Sequence, residues 1–291
     1  MSNGAAHLRR LLDRPGIARI AGAHNALGAK MAERAGFDGV WSSSFEISAS
    51  HGVPDASILG QSDHLAAARE MCASVDIPIL VDCDTGYGEG TQFAHAVRQF
   101  EAAGVAAVCI EDKQFPKLNS FIAGRQELAS IDDFLDKLAA GKRAQRSSDF
   151  AIIARTEALI AGCGRDEALL RARAYADAGA DAVLIHSKAT TVDELASVAG
   201  AWDRVTPLVS VPTTYYEVTA NELAALGFKI VIYANQGLRS ALRAMELAYA
   251  QILRSGSTAS VEDHLMPMKS IFELQGHETD LRGELRAEVV K

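Results

Sequence analysis

Cysteine is scarce and scattered: Cys72, Cys83, Cys109 and Cys163 are the only four in a chain of 291 residues. None forms a C-x-x-C pair, so neither a zinc site nor a disulfide framework is indicated. Cys83 and Cys109 fall in expected strands, where a thiol behaves as a small buried hydrophobe. Positive charge is also short, with 29 Lys and Arg against 37 Asp and Glu and a formal net charge of -8. That balance argues against nucleic acid or an anionic membrane as the main partner. It leaves an anionic small-molecule substrate open, because a local cation or metal can reverse the sign inside one pocket. No apolar run reaches membrane-spanning length. Met1-Ser2-Asn3-Gly4 does not begin a charged region followed by an apolar one, so no signal peptide is expected and the cytoplasm is the expected location. Against these absences, hydrophobic residues make up 48% of the chain and charged residues 23%, enough for a large core and unlike a disordered protein.

Short apolar runs alternate with amphipathic stretches that close at Gly. Strands are expected at Ile17–Ala21, Gly39–Ser42, Pro78–Val81, Ala106–Ile110, Phe150–Ala154, Ala182–Ile185, Pro207–Val211 and Ile230–Ala234. Helices follow each, among them Ala26–Ala35, Asp63–Ser74, Phe93–Ala103 and Leu238–Leu253. Long loops are expected over Ser43–Ile58 and Gln114–Ser130. This pattern predicts an α/β chain folded as a single (β/α)8 TIM-type barrel over residues 1–291. A doubly wound sheet would need a Gly-rich phosphate loop after the first strand, and His24-Asn25 does not supply one. Val261–Leu274 is apolar at helical spacing and has no place in the ring. Residues 255–291 are therefore expected to be a C-terminal helical extension, packed on the barrel or on a neighbouring subunit. Arg282–Lys291 is charged and expected to fray.

Active sites of such barrels lie at the C-terminal strand ends. Reading past each strand gives Trp41 and Ser42–Ser44, then Asp82 and Asp84, then Glu111 with Lys113 and Lys117 beyond it. Next come Arg155 and Glu157, then His186-Ser187-Lys188, Pro212-Thr213 and Asn235. Asp82 and Asp84 are two apart, so on a strand they face one volume. Two close carboxylates repel unless a cation sits between them, and Mg2+ with oxygen ligands suits that place. Glu111 adds a further hard oxygen. Arg155 offers a planar fork for phosphate or carboxylate. His186 can donate to a phosphate oxygen or move a proton. The plainer readings are that His186 is structural, that Arg155 pairs with Glu157, that Trp41 is core and that Lys113 and Lys117 belong to a solvated loop.

The run Glu111-Asp112-Lys113, five residues, then Asn119-Ser120 resembles the gating-loop signature of the phosphoenolpyruvate mutase family. The resemblance extends through Ala23-His24-Asn25, Gly39-Val40-Trp41, the Asp82 stretch, Arg155-x-Glu157-Ala158, His186-Ser187-Lys188, Val211-Pro212-Thr213 and Glu273-Leu274-Gln275. It covers nearly the whole chain and lies within the isocitrate lyase and phosphoenolpyruvate mutase superfamily. It implies a (β/α)8 barrel, a C-terminal helical element swapped between subunits and a homotetramer built as a dimer of dimers. The carbon–carbon lyases carry a catalytic Cys in the loop where this chain has Lys117-Leu118-Asn119-Ser120, so lyase activity is not expected. Phosphonopyruvate hydrolase is nearer, but has Thr at the position of Asn119; Asn resembles the mutases.

The roles implied are specific. Ser43, Ser44 and Phe45 would hold the substrate carboxylate, largely through backbone N–H groups. Asp82, with Asp84, Glu111 and Asp55 near it through waters, would bind Mg2+. Arg155, His186, Asn119 and Ser120 would bind the phosphoryl group, Lys117 would close over it, and Trp41 would wall the pocket. Asp55 would carry the phosphoryl group or orient it. Three positions depart from the family pattern: Glu89 for Asn, Cys163 for Trp and Gln236 for His. The first adds negative charge near the expected site; the other two read as peripheral. The expected activity is a Mg2+-dependent mutase making phosphonopyruvate, with phosphonopyruvate hydrolysis as the alternative.

Overall fold

Strands buried on both faces need apolar side chains on both, and the barrel strands here meet that condition. The computed structural model describes residues 4–124, 126–279 and 285–287. The strands are β1 (Ala18–Ala23), β2 (Gly39–Ser42), β3 (Ile79–Asp82), β4 (Ala107–Glu111), β5 (Ala151–Thr156), β6 (Ala182–Ile185), β7 (Leu208–Ser210) and β8 (Phe228–Tyr233). They pair in sequence order, and β8 returns to β1 with Ala18 opposite Ile230, closing the barrel. The expected (β/α)8 architecture is therefore the observed one.

Side chains alternate across each strand, and this gives two separate cores. Ile20, Trp41, Leu80, Cys109, Ile153, Leu184 and Ile232 fill the barrel interior. Val40, Val81, Val108, Ile152, Val183 and Val231 face outward into the layer between strands and helices. The closing seam leaves no room at Gly22, where a Cβ would stand 2.2 Å from the carbonyl oxygen of Ala234.

The helices are α1 (Gly4–Asp13), α2 (Ala26–Arg34), α3 (Ser44–Ser50), α4 (Gln61–Ser74), α5 (Gly90–Ala102), α6 (Ile131–Ala144), α7 (Gly164–Asp177), α8 (Asp193–Ala199), α9 (Ala220–Ala225), α10 (Gln236–Ser255) and α11 (Met268–Leu274). Two of them lie outside the expected pattern. In α1, Leu8, Leu11 and Leu12 join the barrel-interior core. Arg9 of the same helix donates to the carbonyls of Ser148, Asp149 and Phe150 and pairs with Asp181 at 2.7 Å, at the N-terminal ends of β5 and β6. This helix plugs the end of the barrel opposite the strand C-termini. The second, α3, occupies part of the stretch expected as a loop. It is capped by Ser43, whose Oγ accepts from the Glu46 N–H at 3.3 Å.

The chain divides into two compact units, Met1–Gly237 and Leu238–Lys291. The first contains the eight barrel strands. The second holds most of α10, a short 3-10 turn (Glu262–His264), α11, and an antiparallel pair formed by β9 (His277–Thr279) and β10 (Leu285–Ala287). The continuous helix expected over Val261–Leu274 is broken at Pro267, which caps α11 and lacks the N–H that a longer helix would need. Of the tail expected to fray, Leu285–Ala287 is instead paired as a strand, and the rest lies outside the described residues. Among the described residues, no helix is long and apolar enough to cross a membrane.

Candidate active site

The C-terminal strand ends surround a cavity of about 450 Å³. Of the residues singled out from the sequence, Trp41, Ser43, Ser44, Phe45, Asp55, Asp82, Lys117, Asn119, Ser120, Arg155 and His186 line it. Asp84 and Glu111 do not; they are buried directly behind it. Thr213 and Asn235, from the ends of β7 and β8, also line it, together with apolar residues that include Val53, Phe121, Ile122 and Val211.

Asp82 ends β3 and accepts from Ser44 Oγ at 2.9 Å. Asp84 is not on the strand, so the alternation argument does not explain its position. The chain turns at Cys83, and Asp84 adopts a left-handed φ of 50°, which its short polar side chain tolerates. The turn is pinned on both sides: Cys83 N–H donates to Cys109 O at 2.9 Å and Glu111 N–H to Asp84 O at 2.8 Å. Tyr87, also left-handed at φ 63°, lies 2.7 Å through its hydroxyl from Nδ1 of buried His64. Asp84 thus meets Asp82 through a strained turn braced by β4 and α4.

Lys117 lies between the acids, 2.6 Å from Asp55 Oδ1 and 2.9 Å from Asp84 Oδ1. The other oxygen of Asp55 accepts from Asn119 Nδ2 at 2.7 Å. The segment expected to gate the site is therefore drawn onto Asp55, with Lys117 and Ser120 buried. Burial and the charge of Asp84 push the Asp82 carboxyl up. Burial acts the same way on Asp84, but Lys117, with a further contribution from His64, holds it below its ordinary value. Two carboxyls side by side are thus driven apart in acidity by where one ammonium sits. Burial would lower Lys117, but Asp84, Glu111 and Asp55 keep it firmly charged.

The second centre is Glu157, just past β5 and fully buried. Its Oε1 accepts from Arg155 Nε at 2.5 Å and lies 2.7 Å from His186 Nδ1. Its Oε2 accepts from Ser120 Oγ at 2.5 Å and lies 3.2 Å from Lys113 Nζ. Burial pushes this carboxyl up, but the Arg155 guanidinium, with the Lys113 ammonium adding to it, holds it well below the usual carboxylate range. Asp112 fixes the backbone here, accepting from Glu157 N–H at 2.8 Å, Thr156 Oγ1 at 3.0 Å and Tyr175 OH at 2.7 Å. Arg155 also lies 3.3 Å from Glu111 Oε2. The plainer reading of Arg155, that it pairs with Glu157, holds together with its place in the cavity wall.

Burial lowers His186 against the opposing charge of Glu157, so the ring is neutral near pH 7. Its Nδ1 lies 2.7 Å from both Arg155 Nη2 and Glu157 Oε1. A neutral Nδ1 can accept from the guanidinium or donate to the carboxylate, but not both. Accepting from Arg155 leaves Nε2–H as a donor.

Glu111 is pushed up to about 7, chiefly by burial, with Arg155 and Lys113 opposing. Its Oε1 and Asp84 Oδ1 are buried without a well-formed hydrogen bond. Asp84 Oδ1 is met by the Lys117 ammonium at 2.9 Å and Glu111 Oε1 has Lys113 no nearer than 4.0 Å, so both oxygens, beside Asp82, keep acceptor capacity for a hard divalent cation. Among the described residues, no three His, Cys, Asp or Glu side chains are gathered tightly enough to hold a metal by themselves. The donor set therefore fits an ion such as Mg2+, which keeps waters and takes one or two carboxylates directly.

Two expectations change. Ser43 cannot offer its backbone N–H to a ligand, because it donates to Ala23 O at 3.1 Å. Ser44 and Phe45, in the first turn of α3, have no earlier helical carbonyl to receive theirs. Glu89 does not line the cavity; it stands at the N-cap of α5, its N–H donating to Gln92 Oε1 at 3.1 Å. Glu157 and Lys113 were visible in the sequence, in the Arg155-x-Glu157 and Glu111-Asp112-Lys113 runs. Their part as the junction of four chain segments was not.

A model of the family described as phosphoenolpyruvate phosphomutase matches residues 8–253. A phosphonopyruvate hydrolase from Variovorax sp. (strain Pal2) is 47% identical over 273 residues, covering 93% of this chain and 94% of that one. The crystal structure of a phosphoenolpyruvate phosphomutase from Streptomyces platensis subsp. rosaceus superposes with a TM-score of 0.93 at 55% identity, over 94% of this chain and 95% of that one. A phosphonopyruvate hydrolase structure in complex with oxalate and Mg2+ superposes with a TM-score of 0.89 at 45% identity, over 95% of both chains.

Proposed function

Because the chain belongs to the phosphoenolpyruvate phosphomutase family, we propose that it interconverts phosphoenolpyruvate and phosphonopyruvate. The observation that carries this reading is the pair of bonds from Lys117 and Asn119 to the two oxygens of Asp55, which draw the gating segment over the cavity. Phosphoryl return to carbon needs water kept away while the group is between partners.

In the isomerisation the P–O bond of phosphoenolpyruvate breaks and a P–C bond forms, with no co-reactant. Ser44 and Phe45 bind the carboxylate through their N–H groups. Arg155, Asn119 and the His186 Nε2–H receive the phosphoryl oxygens, whose charge spreads in a loose transition state, while Ser120, its hydroxyl donated to Glu157, fixes the gate beside them. Asp82, with Asp84 and Glu111 behind it, would hold Mg2+, which would supply positive charge to the substrate oxygens that gain negative charge. Lys117 neutralises the acids around the transferring group. Both oxygens of Asp55 already accept hydrogen bonds, which favours an orienting role; a covalent carrier would have to release one of them. Lys117 and Arg155 in the lining of this small cavity suit a small anionic substrate.

Exposed Leu247, Tyr249 and Leu253 on α10, at 55%, 62% and 87% exposure, support association with further copies of the chain. The second reading is phosphonopyruvate hydrolysis, favoured by the 47% identity to such an enzyme. Phosphorus NMR of the protein with Mg2+ and phosphonopyruvate separates the two. Phosphoenolpyruvate is expected as product; pyruvate and phosphate alone would replace the mutase reading by the hydrolase.

A further inference from the structure

Lys113 is the one cation of this cluster that does not line the cavity, yet it is almost wholly buried beside it. It leaves the end of β4, where its backbone bridges to Leu128 and the neighbouring Gln114 N–H donates to Glu127 O at 2.9 Å. The stem of the gating segment is thereby closed at its base. Within it, Lys113 Nζ donates to Leu118 O at 2.9 Å and to Ser120 Oγ at 2.7 Å, and lies 3.2 Å from Glu157 Oε2. An ammonium has three donors, and here each has an acceptor, so none is left for a substrate.

The two bonds into the gate fall on either side of Asn119. Leu118 offers its carbonyl and Ser120 its hydroxyl to the same nitrogen, so the residue between them is held at both flanks. Its side chain is then aimed at Asp55, 2.7 Å away. Ser120 is tied a second time, to Glu157 Oε2 at 2.5 Å. Glu157 is in turn fixed by Arg155 and by the Asp112 network on its backbone. A rigid path of hydrogen bonds thus runs from the barrel strands to the centre of the gate; Lys113 carries it into the gate backbone at Leu118, next to Asn119, whose own carbonyl accepts from Gln126 Nε2 within the loop at 3.0 Å.

We propose that Lys113 is a positioning residue that latches Asn119 over the cavity, and so sets the partition between phosphoryl return to carbon and loss to water. The proposal rests on the mutase reading for its chemical consequence, but not for the latch itself. A purely structural lysine would, when removed, lower stability and total turnover together and leave the ratio of products alone. A latch changes the ratio.

Lys113→Met and Lys113→Gln are compared with the wild-type protein by phosphorus NMR, starting from phosphonopyruvate. Mg2+-dependent oxalate binding is measured by calorimetry, and trypsin cleavage after Lys117 is timed. The share of pyruvate plus phosphate should rise roughly tenfold, the scale of losing one charged hydrogen bond. Oxalate affinity should change by less than about threefold on the same scale of effects, since Lys113 does not face the cavity. Cleavage after Lys117 should quicken about tenfold as the gate opens more often. An unchanged product ratio in a folded variant overturns the proposal. If the wild type forms no phosphoenolpyruvate, the mutase reading has failed, and the trypsin rates alone decide the latch, unchanged rates overturning it. Should both Lys113 variants fail to fold, Ser120→Ala removes one latch acceptor and leaves every buried charge paired; an unchanged product ratio and cleavage rate there overturn the proposal equally.

Discussion

Replacing Glu157 by Gln removes one charge and changes almost no volume, which makes it a sharp probe of the buried junction. The carboxylate accepts from Arg155 on one oxygen, which His186 Nδ1 also approaches to 2.7 Å, and from Ser120 on the other, with Lys113 at 3.2 Å. An amide has one accepting oxygen and one donating nitrogen. Its oxygen must face Arg155, because an NH2 group there would meet the guanidinium donor head-on. The NH2 group then faces Ser120, whose hydroxyl can turn to accept, and Lys113, whose ammonium cannot. The variant therefore leaves one buried cation without its carboxylate. Breaking one side of a buried ion pair costs about 3–5 kcal/mol. Lys113 still has Glu111 Oε1 at 4.0 Å and Arg155 has Glu111 Oε2 at 3.3 Å, so the lower end applies, about 3 kcal/mol. For a unit of this size that is a fall in melting temperature of roughly 6–12 °C.

The pH dependence has a definite sign. The folded value of Glu157 lies well below its ordinary 4.5. Its contribution is therefore complete above pH 4.5 and is lost as the pH falls from there through the folded value. The gap between wild type and Glu157→Gln should be flat from about pH 5 to 8 and narrow on further acidification. Circular dichroism melting across that range reads it. A loss under about 2 °C at pH 7, or a gap that widens in acid, would refute the account of this junction.

Three further outcomes are expected. Asn119→Ala should lose isomerisation while keeping the fold and Mg2+ binding, since the residue lies in the gating loop; retained conversion of phosphonopyruvate to phosphoenolpyruvate would remove it from the mechanism. Gly22→Ala places a Cβ 2.2 Å from the Ala234 carbonyl oxygen, so the barrel seam must shift, costing about 1–3 kcal/mol in urea unfolding; a neutral result would mean the seam yields. Mg2+ binding near pH 6 should release close to one proton, because Glu111, pushed up to about 7 by burial, is still protonated there and must ionise beside the cation. Above pH 8 the release should vanish, and calorimetry in buffers of differing ionisation enthalpy would expose its absence at pH 6.

Much of the barrel was legible because its signals are local. A strand buried on both faces must be apolar along its length, and a helix that ends must free its last carbonyls, commonly at Gly. Those rules located all eight strands within two residues of the observed ends. They did not locate α1, whose buried Leu8, Leu11 and Leu12 only acquire a place once a closed barrel has an interior to plug. Nor did they give α3, a helix of seven residues and too short for a periodic pattern to declare itself.

The site divides in the same way. Chain order and residue type were enough to name Asp82, Arg155 and His186, because a residue at the C-terminal end of a barrel strand has little choice of direction. The tertiary structure alone decided that Asp84 arrives by a left-handed turn, that Lys117 separates the acidities of the two aspartates, and that Glu157 joins Arg155, His186, Ser120 and Lys113. The first is a backbone conformation fixed by bonds to β4, and the other two join segments distant in the chain, set by charge and burial at distances under about 4 Å, where electrostatics is strongest and sequence spacing carries no information.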